Sequence, residues 1–577
     1  MDIHLLKEKS SAYRNLIRHE DALPVYDSMA TNDLSQIVRY AREVLIKTAR
    51  MPVIPKMEKC EERSQNFRTE GNKAFAYSQY QSALIEFNKA LCHAPNESHS
   101  LKLAYANRSA VFHKIKAYEE SIVDIDICMR LGCPPEIESK LKKRHRVCRE
   151  LGWINKLSEE TIPDFHSLGK FFKLLTNNPQ LSNATMDVGV TLSGSYMTVV
   201  AAKNINVGSL IVFESAYVSQ TNDSNKYQAC SFCHKMSLNL VPCRYCCDTL
   251  FCGPICMNLA VAEYHKIECH LSEVLRNTAT ECRMALKAVV RMRHSCPSWD
   301  AFMEQTCLLG KKRVGGSVAE VFGEDYPFTL LCMETEKPFV QGPIYNAAID
   351  CAVVLYYLDK LPFFLPKGPK RKEVLDRIAR VMMHLSVYHT YTQMQVVIGE
   401  KGVEASFHNA QNYGWFPLIS KLKNSCVPNV IALAVNKEMA LVAVQPIKRG
   451  TELTVAYLGH WLDTDLQPRA RQKAMFALSG TLCSCRLCIA PPSEDEYTLS
   501  EKQAKVWRRL KVETMVRLTS ETVDDWFLKL SRSLAFFQDL PFSKEYEAIY
   551  YGFRRCLAYY QVVGFPQRLV TNYTVGN

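Results

Sequence analysis

Residues 230 to 269 read CSFCHKMSLNLVPCRYCCDTLFCGPICMNLAVAEYHKIEC, and no other stretch restricts the fold of this chain so tightly. Cys230 and Cys233, Cys243 and Cys246, Cys252 and Cys256, and His265 with Cys269 form four close pairs. Two or three residues between ligands let both reach one tetrahedral ion at about 2.3 Å, so the four pairs can hold two zinc ions. With four protein ligands each, neither ion keeps a position for water. Both are therefore expected to be structural and to supply folding energy that so small an apolar core lacks. The chain has 23 cysteines. A reducing compartment does not keep disulfides, so clustered thiols there usually hold metal. The competing reading is a core of unmetallated cysteines, and Cys247 competes with Cys246 as a ligand.

At 577 residues the chain exceeds one compact core, and three or four domains are expected. A hydrophobic content of 47% with 23% charged residues is ordinary for globular material, and no 18-residue apolar run suggests a membrane span. The opening MDIHLLKEKSSAYRNLIRHED mixes both charge signs and lacks a secretory pattern, so the chain is expected inside the cell, in cytoplasm and nucleus. The 71 basic against 59 acidic residues give +12, a solvated basic surface or a mild preference for acidic partners. Nucleic acid is not an expected partner, because no basic stripe interleaved with aromatics appears.

Residues 1–60 read as a helical extension ending at MPVIPKMEKC. From residue 64 a repeat emerges, with Gly71 matching Ala110, Ala83 matching Ile122 and Pro95 matching Pro134, each 39 residues apart. Small residues at helix crossings with a closing proline resemble tetratricopeptide repeats, here over 61–155, with a third unit beginning near EIESKLKKRHRVCREL. Beyond residue 185 the texture is β-branched, with Gly208 turning between two strands in YMTVVAAKNINVGSLIVFES. Between 270 and 410 the pattern is helical, including EVLDRIARVMMHLSVYHTYTQMQVVIG; strands resume in 411–460, and the chain from 495 to 577 reads as amphipathic helices.

The pair spacing resembles the MYND finger, whose pairs interleave. That resemblance assigns one zinc to Cys230, Cys233, Cys252 and Cys256 and the other to Cys243, Cys246, His265 and Cys269. The segment CSCRLC adds Cys483, Cys485 and Cys488, three thiolates without a fourth ligand. The order of motifs (β segment 185–229, finger 230–269, helical insertion 270–410, β core 411–460, cysteine tail 478–490, C-terminal helices) resembles the SET- and MYND-domain family of protein-lysine methyltransferases. The repeats resemble its tetratricopeptide-bearing branch. The implied fold is a multidomain α+β chain: helical repeats, a split β SET domain holding the finger, a cysteine-rich tail and a helical C-terminal domain.

In that family the cysteine of the pattern N-H-S-C-x-P-N completes a zinc site in the tail. Here KNSCVPN supplies Cys426, which the resemblance joins to Cys483, Cys485 and Cys488; the alternative is a small buried hydrophobe. The family transfers a methyl group from S-adenosyl-L-methionine to a lysine. GTELTVAYLG resembles its G-E-E-L-x-x-x-Y strand and makes Tyr457 the catalytic tyrosine, against the plain alternative of a core tyrosine with a hydrogen-bonded hydroxyl. The implied cofactor positions are Tyr196, Met197 and Thr198 at the G-x-G turn, Lys423 and Asn424 at the N-H pair, Tyr457, and Thr481, with Ser479 where the family has a second tyrosine. Both turn glycines are thus replaced by residues with a Cβ, and Lys423 sets a cation beside a sulfonium. On the repeats, Arg68, Asn72 and Asn107, with Lys140, Lys143 or Arg144, resemble a carboxylate clamp for acidic C-terminal tails of chaperones. The alternative is a polar groove facing water. Two functions follow from the resemblance. One is a protein-lysine methyltransferase. The other is a catalytically silent adaptor binding chaperones through the repeats and proline-rich or transcriptional partners through the finger.

Overall fold

In the computed structural model of the chain, the described residues are 11–563 apart from 14, 30–32, 56, 157–177, 179–180, 182, 194–195, 225, 236, 308–330, 332–340, 389–391, 396–410, 436, 459–461, 463–466, 480–481, 490–497, 516–517 and 519–521. Helices α1 (Leu23–Met29) and α2 (Leu34–Lys47) open the described chain. The Asp33 carboxylate caps α2 by accepting from the backbone N–H of Ser35 and Gln36. Ile37, Val38, Ala41 and Leu45 recur every three or four residues, so they share one buried face. That face belongs to the core of the later helical insertion, where Arg39 and Arg42 reach Asp376 and Asp359 at 2.8 and 2.9 Å. The N-terminal extension is therefore part of that body.

Helices α3 (Glu61–Ala76), α4 (Tyr80–His93), α5 (His99–Lys114) and α6 (Tyr118–Arg130) form two helix pairs joined by short turns, followed by α7 (Pro135–Lys156). Helix α5 begins 38 residues after α3, and α6 begins 38 after α4, which corrects the 39-residue pairing read from the sequence. The buried small residues are Gly71 with Ser109 and Ala83 with Ser121, whereas Ala110 and Ile122 are only half-buried. A Cβ on Gly71 would lie 2.5 Å from the Phe87 ring, so this crossing needs glycine. The second crossing takes serine because the Ser121 hydroxyl donates to the Ser109 carbonyl at 2.9 Å.

One face of this stack docks on the cysteine-rich segment. Arg108 and Asp124, both fully buried, form a two-pronged pair at 2.7 Å. Arg108 also donates to Asn88 Oδ1 and to the Leu240 carbonyl at 2.6 and 2.8 Å, while Asn239 donates to Asp124 at 3.0 Å. Burial lifts the Asp124 carboxyl above its ordinary range, and the Arg108 guanidinium opposes that rise.

The β core begins with a hairpin, β1 (Val188–Ser193) and β2 (Tyr196–Ala201), followed by β3 (Leu210–Ser215) and β4 (Val218–Thr221). Gly208, at φ +88°, makes the turn before β3. Short strands β5 (Val241–Pro242) and β6 (Leu250–Phe251) stiffen the cysteine-rich segment. Helices α8 (Pro254–Ala260), α9 (Lys266–Leu275), α10 (Thr280–Ser295), α11 (Trp299–Thr306), α12 (Gln341–Asp359) and α13 (Lys370–Tyr388) follow. The sequence pattern extends the last helix to residue 399; instead it stops at Tyr388 and β7 (Thr392–Gln395) pairs with β8 (Gln411–Trp415). There the pairing of β7 with β8 outweighs the helical pattern. Because β4 pairs with β8 on its other edge, the cysteine-rich segment and the insertion leave and rejoin one sheet.

Strands β9 (Lys423–Asn424), β10 (Val430–Val435), β11 (Glu438–Ala443) and β12 (Thr454–Val455) complete the core. The sheet ordered β10, β11, β3 is antiparallel, while β9 and β12 pair in parallel. Alternation sends Val212 and Leu441 toward a cluster with Val199 and Leu422, and Phe213 and Val442 toward the C-terminal helices. After α14 (Pro468–Ser479) and α15 (Arg486–Ile489) come α16 (Glu501–Leu510), α17 (Val523–Phe536) and α18 (Lys544–Val563). Phe527, Leu530, Tyr550 and Phe553 of α17 and α18 cover that second face. Among the described residues, no helix is long and apolar enough to cross a membrane.

Candidate active site and metal centres

Twelve side chains converge in three groups of four: Cys230, Cys233, Cys252 and Cys256; Cys243, Cys246, His265 and Cys269; Cys426, Cys483, Cys485 and Cys488. Within each group all ligand atoms lie within 4.8 Å of one another. Sulfur pairs stand 3.7 Å (Cys233 and Cys252), 3.5 Å (Cys252 and Cys256), 3.8 Å (Cys243 and Cys269) and 3.6 Å (Cys426 and Cys488) apart. A tetrahedron with metal–sulfur bonds of 2.3 Å has edges of about 3.8 Å, so these groups fit zinc, whereas a disulfide closes to about 2.05 Å. Cys247 stands outside the groups, its thiol 3.8 Å from the Met57 carbonyl.

Local structure explains the fit. The pair Cys252 and Cys256 straddles the start of α8, and His265 and Cys269 lie four apart across the start of α9, so each pair faces one side. His265 Nδ1 faces Glu268 at 3.7 Å, which orients the ring so that Nε2 reaches the Cys243 sulfur at 3.3 Å. In the tail group, the buried Arg471 donates from Nε to the Cys426 sulfur at 3.2 Å. Four thiolates around a divalent ion carry a net charge of about −2, and a buried guanidinium offsets part of it. Sequence reading missed Arg471, because three basic residues in PRARQKAMFALS give no sign of which one turns inward.

Asn424 joins the tail group to Tyr457. Its Nδ2 donates to the Cys483 sulfur at 3.1 Å, and its Oδ1 accepts from the Tyr457 backbone N–H at 2.9 Å. The Tyr457 hydroxyl donates to the Leu422 carbonyl at 2.6 Å, and burial pushes its phenol up to about 12. Lys423 turns outward, its ammonium 3.3 Å from Glu452. Tyr196 opens β2, Met197 is buried in the core with Val199, and Thr198 pairs with Thr191. Thr481 lies outside the described residues. The corner fits a sulfonium cofactor in one respect that the sequence left open: the Lys423 charge is drawn away to a carboxylate.

Glu214 holds this corner from beneath. Its carboxylate accepts from the backbone N–H of Leu418 and Ile419 at 2.8 and 3.0 Å, fixing the turn that leads into Lys423. A lone acid inside the apolar run LIVFES was the available signal. Burial raises its carboxyl from 4.5 to about 7, so the folded state keeps a proton that the unfolded chain loses earlier. Stability is accordingly expected to fall as pH rises from 4.5 to about 7, by on the order of 3 kcal/mol, in urea titrations. Glu214→Gln should flatten that slope.

On the helical stack, Asn107 donates to Asn72 at 2.8 Å, which brings together two of the residues expected to form a clamp. Arg68 lies on the same helix as Asn72 with its Nε buried, and Lys140 and Lys143 are exposed on α7. Arg144 is instead bonded to the Ala106 carbonyl and the Ser109 hydroxyl at 3.0 and 2.7 Å, tying α7 to α5.

The SET domain family matches residues 197–458. A protein-lysine N-methyltransferase SMYD4 of Danio rerio is 26% identical over 251 residues, covering 41% of this chain and 33% of the relative. Relatives of the same name from Mus musculus (24% over 541 residues) and Homo sapiens (26% over 545) cover 74% and 73% of this chain and 66% of each relative. In each case the chain spans less than two thirds of the relative's length. The SET match ends one residue past Tyr457 and encloses the cysteine-rich segment, the insertion and the Cys426 corner. Residues 197–458 thus match the SET domain, and over most of its length the chain is similar to the SMYD4 proteins, which supports a place in the SMYD family.

Proposed function

We propose that this chain is a protein-lysine N-methyltransferase using S-adenosyl-L-methionine, with three structural zinc ions. The observation that supports it most is the bond network from the tail thiolates through Asn424 to the Tyr457 backbone, with the Tyr457 hydroxyl held against the Leu422 carbonyl. When bound, the cofactor supplies an electrophilic methyl group on a sulfonium. The chain's own part is positional: a hydroxyl and a carbonyl aligned in a partly buried corner orient an uncharged lysine amine and stabilise charge as it shifts. A phenol pushed up to about 12 stays neutral at physiological pH, so Tyr457 acts as a dipole rather than a base.

Tyr457→Phe is expected to lower methyl transfer by about 10²–10³-fold while lowering cofactor affinity far less, because it deletes one positioned hydroxyl and keeps the ring. Transfer of labelled methyl to protein, paired with calorimetric titration of the cofactor, checks both halves. Equal transfer by wild type and variant would remove Tyr457 from the mechanism.

The same reading gives the helical stack and the cysteine-rich segment partner-binding roles as tetratricopeptide-like and MYND-like modules. Asn72 and Asn107, with Arg68, Lys140 and Lys143, present amides and cations suited to the acidic C-terminal tail of a chaperone. Arg144 contributes by fixing α7. On the cysteine-rich segment, exposed Tyr245 and Ile255 offer an apolar surface for a proline-rich or transcriptional partner. The adaptor reading survives alone if cofactor titration gives no heat. Cytoplasm and nucleus are the proposed compartments.

A further inference from the structure

A cleft between the cysteine-rich segment, α9 and α10 lies apart from the Tyr457 corner and touches the second metal group only at His265. Arg283 and Lys287 of α10 form its floor, 9% and 3% exposed; Lys226 and Arg276 stand at its rim. Three carboxylates share the lining. Asp248 meets Lys226 at 2.8 Å and Arg276 at 2.6 Å, Asp223 meets Arg283 at 3.3 Å, and Glu268 meets Lys287 at 3.4 Å. Glu273 also reaches Arg276, at 3.1 Å, from outside the lining.

Arg283 is the unusual member. Its terminal nitrogens donate to Asp223 and to the Thr280 hydroxyl, both at 3.3 Å, while its Nε–H is buried with no acceptor among the described residues. Buried donors are almost always satisfied, and a guanidinium cannot escape the cost by losing its proton. Its planar fork suits a tetrahedral or planar oxyanion, and Arg276 lies across the same cleft.

We propose that this cleft binds a small oxyanion of the phosphate class, received by Arg283 at the floor and Arg276 at the rim. The ligand would join three parts of the chain. Helix α9 carries Cys269 of a metal group, α10 opens the insertion, and Lys287 donates to the Ser219 carbonyl of β4 at 2.9 Å. A bound oxyanion therefore stabilises the junction between the cysteine-rich segment and the β core, independently of methyl transfer.

The test uses the full zinc-loaded chain, titrated with inorganic phosphate and, separately, with acetate at fixed ionic strength. Calorimetry and the thermal midpoint are the two readouts. Phosphate should bind saturably, more tightly than acetate, and raise the midpoint. Arg283→Gln should weaken phosphate binding about tenfold, as loss of a charged hydrogen-bond donor does. Should that variant fail to fold, Arg276→Gln at the rim, whose side chain is 34% exposed, carries the same expectation. Absence of saturable binding, or unchanged affinity in the folded variants, overturns the proposal. Binding of acetate but not phosphate makes the ligand a carboxylate and overturns the phosphate assignment.

Discussion

Arg108→Ala is expected to destabilise the chain by about 3–5 kcal/mol, because it strands a fully buried carboxylate. Asp124 would keep the Asn239 amide as a donor, and the Leu240 carbonyl and Asn88 Oδ1 would each lose one. An exposed ion pair is worth about 0–1 kcal/mol, so burial sets the size of this effect. The double variant Arg108→Met with Asp124→Leu separates charge from packing. Replacing both partners with apolar groups removes the stranded charge, so most of the lost stability should return. Urea midpoints of the wild type and both variants check the ordering. A single variant as stable as wild type would show that the contact between stack and cysteine-rich segment does not depend on the pair.

Removing metal should have a still larger effect. Structural zinc contributes about 10–16 kcal/mol of apparent folding free energy in small zinc peptides at neutral pH, and two of the groups lie in a segment whose only strands among the described residues are the two-residue β5 and β6. Native protein should contain three zinc ions per chain, and strong chelation should unfold residues 230–275 before the helical stack melts. Cys426→Ser isolates the tail group. It should reduce zinc content from three ions to two, leave the other groups loaded, and lower methyl transfer, since the tail would no longer hold Cys483 where Asn424 reaches it. Circular dichroism and elemental analysis on one sample read both effects. No more than trace zinc in the unchelated product would dismantle the architecture.

The sequence and the folded chain differ in which of these contacts they disclose. Ligands separated by two or three residues meet a common ion whatever the rest of the chain does, so Cys230 with Cys233 and His265 with Cys269 were legible as pairs. Cys426 lies 57 residues from Cys483, and only the family resemblance joined them before their sulfurs were seen 3.9 Å apart. Strand existence was legible from β-branched runs and Gly208. The repeat offset slipped by one residue because serine is as small as alanine at a crossing, and only the buried hydroxyl bond of Ser121 distinguishes them.

The chain's order of residues thus determined the metal-ligand pairs, the helical stack and the split β core, since short-range spacing and periodicity set all three. Tertiary structure decided that Lys423 turns to Glu452, that Asn424 bridges a thiolate and the Tyr457 backbone, and that Glu214, Arg471 and Arg108 are buried with particular partners. A side chain's charge and shape are written locally. Its partner is chosen by the packing of segments far apart in the chain, where burial makes each polar contact either satisfied or costly.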